Sequence, residues 1–162
     1  VVTGTPGTGK TSATTHLDES VVHLNDVIRE QGLWSDRDEE RDSLVADLDA
    51  VREWLDDWDG IVESHLAHHL AADRVIVLRC QPGELERRLT ERGESPEKAR
   101  ENAESEALDV ILSEAVDHHG EENVYEIDTT DRSPEAVAAE IRRVVDGERD
   151  PSAGDVDFVD YL

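Results

Sequence analysis

Apolar positions follow two spacings along this chain. Short runs of adjacent apolar residues mark strands at Val1–Thr3, Val21–Leu24, Ile61–Glu63, Val75–Leu78 and Val124–Ile127. Val75 to Leu78 is apolar throughout, as a parallel strand covered on both faces requires. Between these runs the apolar residues return every three or four positions. That spacing predicts helices over Lys10–Leu17, Asp26–Glu30, from Leu44 to about Trp58, and from Glu84 to about Arg92. It also predicts a short helix through His69, one long helix over Glu97–His119 with Leu108, Ile111, Leu112 and Ala115 on one face, and a last helix to Val145 opened by Ser133-Pro134. Asp36 to Asp42 reads as a polar, charged connection, and Gly147 to Leu162 as an acidic tail without a clear period. Strands alternating with helices predict an α/β fold: a five-stranded parallel sheet with helices on both faces. Ligands of such sheets bind beyond the carboxyl ends of the strands.

A chain of 162 residues is expected to form one domain, here residues 1–147, with 148–162 as the tail. Asp and Glu number 41 against 16 Lys and Arg, for a net charge of −25. The apolar periods argue against disorder, the other meaning of such a composition. Hydrated carboxylates and only two lysines, Lys10 and Lys98, suit a surface bathed in molar salt, so a high-salt cytoplasm is expected. The same field opposes sequence-independent nucleic-acid binding, which calls for a basic patch. A single cysteine, Cys80, closes no internal disulfide. No apolar run approaches the roughly 20 residues of a membrane span, and no signal-peptide pattern is present. The chain lacks an initiator Met and its first strand is short, so a few residues are expected before Val1.

Gly4-Thr5-Pro6-Gly7-Thr8-Gly9-Lys10-Thr11 matches G-x-x-x-x-G-K-[ST] in full, between a strand and a helix. The glycines let backbone N–H groups turn onto phosphate oxygens, and the helix start adds its positive end. Gly4, Gly7, Thr8, Gly9, Lys10, Thr11 and Ser12 are therefore expected to hold ATP. Lys10 bridges the β- and γ-phosphates in this arrangement, and the Thr11 hydroxyl binds Mg²⁺. The loop alone leaves kinase, ATPase and GTPase open, although base motifs of the N-K-x-D type are absent. Asp26 and Arg29 share a helix face, where the arginine can clamp a monophosphate or form a plain surface ion pair. Arg79, Arg87, Arg88 and Arg92 run against the acidic trend and are expected near the transferred phosphoryl, with Arg79 and Arg92 foremost because Arg87 and Arg88 cannot both face it. The alternative for these arginines is helix-surface pairing with Glu84, Glu86 and Glu91. Trp34, Trp54 and Trp58 are expected in the core or a seam. His68, His69, His118 and His119 are expected on helix surfaces, with no metal cluster among them.

These motifs together resemble the adenylate kinase 6 family, the archaeal and eukaryotic nucleotide kinases tied to small-ribosomal-subunit maturation. The resemblance rests on the phosphate loop, Asn25-Asp26-x-x-Arg29, Glu63-Ser64-His65, Val77-Leu78-Arg79, Arg87-Arg88-Leu89-x-x-Arg92-Gly93, Glu97-Lys98 and Glu101-Asn102-x-Glu104-x-Glu106, in order along the chain. It implies a P-loop NTPase fold of the nucleoside monophosphate kinase type, broad-specificity transfer (ATP + AMP = 2 ADP), ATP hydrolysis, and transient binding to ribosomal protein uS11 and pre-30S particles. It implies a monophosphate-binding insert over about 23–46 and a lid over about 91–101, with Arg92 touching ATP and Thr129 to Arg132 bordering the adenine. The family has D-x-H where Glu63-Ser64-His65 stands. The longer Glu63 is thus expected to support Mg²⁺, directly or through water, and His65 orients the attacking water, couples hydrolysis to movement, or is structural. The family's Arg-Gly-Tyr is Arg92-Gly93-Glu94 here, and a lid without cysteines excludes a zinc-bearing lid. Another small P-loop kinase, shikimate-like or nucleoside-specific, without a ribosomal role is the alternative.

Overall fold

The structure, a computed structural model, describes residues 1–40 and 43–162. Five parallel strands form the central sheet: β1 (Val2–Thr3), β2 (Val21–His23), β5 (Ile61–Glu63), β6 (Val75–Arg79) and β7 (Val124–Asp128), in the order β2-β5-β1-β6-β7. Sequence-adjacent β1 and β2 are separated by β5, so the connection leaving β1 runs toward one edge of the sheet and that leaving its neighbour β6 toward the other. That position is the switch point where open parallel sheets bind ligands, and the glycine-rich loop leaves β1 there.

The alternation of strand side chains sets the two faces. Ile76 and Leu78 pack with Val2 and Ile127 against Ala13 of α1 (Lys10–Thr14) and against Val137, Ile141 and Val144 of α7 (Pro134–Val145). Val75 and Val77 face the other way, onto Leu112 and Ala115 of α6 (Val110–His119). On the same side, Val22 and Val62 meet Leu24 and Ile28 of α2 (Leu24–Gln31) and Val51 of α3 (Leu48–Trp54). Below the loop, Leu85 and Leu89 of α4 (Pro82–Glu91) join Cys80 and Ala99 of α5 (Pro96–Ala107). Three of these helices start alike, with a polar side chain accepting from a first-turn N–H and a proline at the next position: Gln81-Pro82, Ser95-Pro96 and Ser133-Pro134.

Three expectations are corrected. The stretch around Asp36 is half of an antiparallel hairpin, β3 (Trp34–Asp38) with β4 (Ser43–Ala46), and the following helix begins at Leu48 rather than Leu44. Residues 41 and 42, the end of the polar connection, lie outside the described residues. The long helix is two helices, because Asp109 adopts the left-handed conformation (φ 56°). Leu108 is consequently exposed rather than part of the apolar face. Trp34, Trp54 and Trp58 are each 42% exposed, so they are surface residues and not core.

The acidic tail is not simply solvated. Ser152 N donates to Val124 O at 3.1 Å, the Gly154 and Val156 amides donate to the Glu126 carboxylate, and Tyr161 donates to Glu86 at 2.8 Å. Among the described residues no helix is long and apolar enough to cross a membrane.

Candidate nucleotide site

The loop needs glycine for distinct reasons at its two ends. A Cβ on Gly4 (φ 147°) would lie 2.6 Å from the Leu78 carbonyl oxygen. One on Gly7 (φ 92°) would lie 2.9 Å from Leu85 Cδ1. The loop thus rests directly on β6 and α4, and Thr8 closes it by donating to Thr5 O at 2.8 Å. Lys10 reaches back inside and donates to Gly4 O at 2.9 Å and Thr5 O at 3.2 Å. Burial pushes its ammonium pKa down to about 8, against the pull of Glu63. A phosphate here replaces weak carbonyl acceptors with charged oxygens and stabilises the cation.

Beside Lys10 runs a polar chain between the ends of β2 and β5. Thr11 Oγ1 donates to Glu63 Oε2 at 3.3 Å, and the same carboxylate oxygen lies 2.8 Å from His23 Nδ1. Ser64 donates to Asn25 Oδ1 at 2.6 Å, and Asn25 Nδ2 donates to His65 Nδ1 at 3.2 Å. His65 therefore accepts at Nδ1 and carries its proton on Nε2. Burial, then the neighbouring Lys10, lowers its pKa to about 4, so it is neutral near pH 7. The Thr11 hydroxyl and Glu63 carboxylate fit a magnesium ion. Both are hard oxygen donors, and their separation is close to the ~2.9 Å between adjacent ligands of an octahedral ion with bonds of about 2.0–2.1 Å.

On the other side of the loop opens a cleft of about 280 Å³. Gly7, Thr8, Gly9, Ser12, Arg92 and Arg132 line it, as do Arg88, Thr129, Pro134 and Val137. Cations at its rim and an apolar floor suit a nucleoside polyphosphate. Arg88 stands between the loop and the strand end, 3.4 Å from Gly7 O and 3.1 Å from Thr129 O. Its neighbour Arg87 turns outward to Glu84 and Glu91. The signal for Arg88 was present in the chain: it precedes Arg92 by four positions, one helical turn on the same face. His23 carries no comparable sequence signal, since it meets Glu63 only through strand pairing of β2 with β5.

Arg79 does not belong to the site. Its side chain is 1% exposed and is consumed by carboxylates: Nε to Glu106 at 2.9 Å, Nη1 to Glu126 at 3.4 Å, and Nη2 to Asp109. The ring of Phe158 from the tail covers it at 5.4 Å. A guanidinium held by three acids stays charged and has no group left for a phosphoryl. Arg29 and Asp26 face each other at 3.6 Å on the exposed side of α2, which begins at the end of β2. Cys80 is buried, and burial raises its thiol to about 11, so it is not a nucleophile at neutral pH.

Residues 1–109 match the AAA domain family. Over 99% of its length the chain is 63% identical to the "Putative adenylate kinase" of Natronomonas pharaonis, of which 98% is covered. It is 59% identical over 99% of its length to the protein of the same name from Halobacterium salinarum, again covering 98% of the relative. It is 43% identical to that of Methanothermobacter thermautotrophicus, over 99% of this chain and 97% of the relative. The chain belongs to this archaeal adenylate kinase family. An adenylate kinase needs one end of the sheet to hold both a donor and an acceptor, and the cleft and α2 stand on either side of the same phosphate loop.

Proposed function

We propose that the protein transfers the terminal phosphoryl of ATP to a nucleoside monophosphate, with AMP as the reference acceptor. The observation that carries this reading is the pairing of a complete phosphate loop with cationic groups on both of its sides, Arg88 and Arg92 toward the cleft and Arg29 on α2. The donor's base enters the cleft beside Arg132 and Val137, and its phosphates follow the loop amides to Lys10. The acceptor sits on the insert, residues 23–46, with its phosphate drawn to Arg29. The acceptor's phosphate oxygen attacks the γ-phosphorus as the bond to the β,γ-bridging oxygen breaks, so that two diphosphates leave. Lys10 and Arg92 neutralise the charge that accumulates on the transferred group, the main catalytic demand of this reaction. Thr11 and Glu63 would hold Mg²⁺, which would supply further neutralisation of the phosphate charge.

The lid, residues 91–101, runs from the end of α4 through the turn at 92–95 into the first half of α5, and excludes water when it closes on the donor. In the absence of acceptor, His65 orients a water instead, which accounts for an ATPase activity. The resemblance to kinases of small-subunit maturation supports a second role in that process, with transient uS11 contact. Pull-down of pre-30S particles with and without ATP in high salt tests it, and equal recovery in both removes it. The kinase reading is tested by measuring ADP formed from ATP with each monophosphate in turn, in molar KCl. Acceptor-dependent ADP is expected with AMP; a rate indifferent to every monophosphate overturns it.

A further inference from the structure

Histidines collect on the opposite flank from the nucleotide cleft, where the 3₁₀ turn Ala67–His69 packs on α6. None of them lines the cleft. His68 is buried rather than on a surface, and its Nε2 lies 2.6 Å from Glu114 Oε2. His69 Nε2 lies 3.7 Å from the same oxygen. One donor atom from each of His68, His69 and Glu114 can be chosen so that all fall within 4.8 Å of one another.

We infer that His68, His69 and Glu114 bind a divalent transition-metal ion of the zinc class, through both Nε2 atoms and the carboxylate. The separations of 2.6 and 3.7 Å straddle the ~3.3 Å expected between ligands of a tetrahedral ion with bonds of about 2.0–2.1 Å. The far nitrogens are already engaged as metal-bound histidines require. His68 Nδ1 lies 2.8 Å from Thr3 Oγ1, and His69 Nδ1 lies 3.3 Å from His118 Nε2. With Nδ1–H donating outward in each ring, both Nε2 lone pairs turn to the common point beside Glu114. His119 Nε2–H donates to His68 O at 2.7 Å and fixes the turn to the end of α6. The side chains are 1%, 25% and 44% exposed for His68, His69 and Glu114, so the fourth position opens to solvent and takes water.

Two imidazoles with one carboxylate favour zinc-like ions over magnesium, which prefers oxygen throughout. The site is therefore separate from the magnesium requirement of ATP. Its ion clamps α6 to the end of β1, since Thr3 both bonds His68 and precedes Gly4. The role is that of a structural staple one hydrogen bond from the phosphate loop.

The probe is Co²⁺, added to the chelator-stripped protein in molar KCl with excess Mg²⁺. One equivalent is expected to bind with the intense visible bands of four-coordinate cobalt, and Zn²⁺ is expected to displace it and raise Tm. His69→Ala and Glu114→Ala, at partly exposed positions, abolish the bands and the Tm rise while keeping the far-ultraviolet circular dichroism of the parent. His118→Ala, acting on an outer partner, weakens binding about 10–100-fold. Pale, octahedral cobalt spectra in the parent overturn the proposal. Binding that survives both His69→Ala and Glu114→Ala also overturns it, assigning the ion to the acidic surface. No binding at all leaves His68 and Glu114 as a hydrogen-bonded pair and refutes the site.

Discussion

Lys10 works because its surroundings oppose its charge. Burial brings its pKa to about 8, and the charged form is the one that grips phosphate. The kcat/KM for ATP, which reports the free enzyme, is expected to fall as pH rises through about 8, well before an ordinary lysine titrates. Bound phosphate favours the ammonium, so kcat itself holds to higher pH. Lys10→Ala removes both transfer and hydrolysis, and normal turnover in that variant refutes the loop assignment. The linked stability has the opposite sign. Between about pH 8 and the usual lysine value near 10.5, the unfolded chain binds more protons at this position than the folded one. The Lys10 contribution to stability therefore rises with pH across that window. Arg29 is exposed and pairs with Asp26 on the same helix face, so Arg29→Ala is expected to leave folding and basal ATP hydrolysis intact. Its KM for AMP rises; an unchanged AMP response removes the acceptor role.

Gly7 links the loop to α4 through the space that a side chain would fill. Gly7→Ala brings a methyl onto Leu85 and Leu89 at a positive φ, and such backbone strain costs on the order of 1–3 kcal/mol. The expected result is a lower Tm together with a raised KM for ATP, read by thermal melts with and without Mg-ATP; a variant that melts and binds like the parent contradicts the packing described. The same contrast explains what the chain disclosed in advance. The loop, β6 and the helix start at Ser133 were legible because their determinants are neighbours in sequence. The break at Asp109 was not, since Ala103, Ala107, Leu112 and Ala115 keep near-helical spacing across it and only the left-handed backbone interrupts them. Arg79 looked catalytic because its captors, Glu106, Asp109 and Glu126, are 27 to 47 positions away and arrive only through folding. The β3–β4 hairpin was hidden because Trp34 to Asp38 is almost wholly exposed and shows no alternation of apolar and polar residues.

The net charge of −25 sets the conditions under which all of this holds together. Self-repulsion opposes compaction, and it is screened over about 30 Å at 0.01 M salt but only about 3 Å at 1 M. Tm is expected to climb steadily from millimolar to molar KCl; a melting point indifferent to salt contradicts that role for the surface. The fold itself follows from the apolar pattern, whereas the docking of the tail does not, because its contacts join residues far apart in the chain: the Gly154 and Val156 amides to Glu126, Ser152 to Val124, and Tyr161 to Glu86.

That docking has a consequence for association between copies. β7 is one of the two edge strands of the sheet, and an open strand margin invites pairing with another chain. Charged side chains are the common deterrent, but molar salt mutes them. Here the Ser152 amide and hydroxyl occupy positions on β7 that an intruding strand would use. A chain ending at Gly147 is accordingly expected to form soluble aggregates in concentrated KCl, seen by light scattering. If it stayed monodisperse there, the tail would not be the guard of that margin.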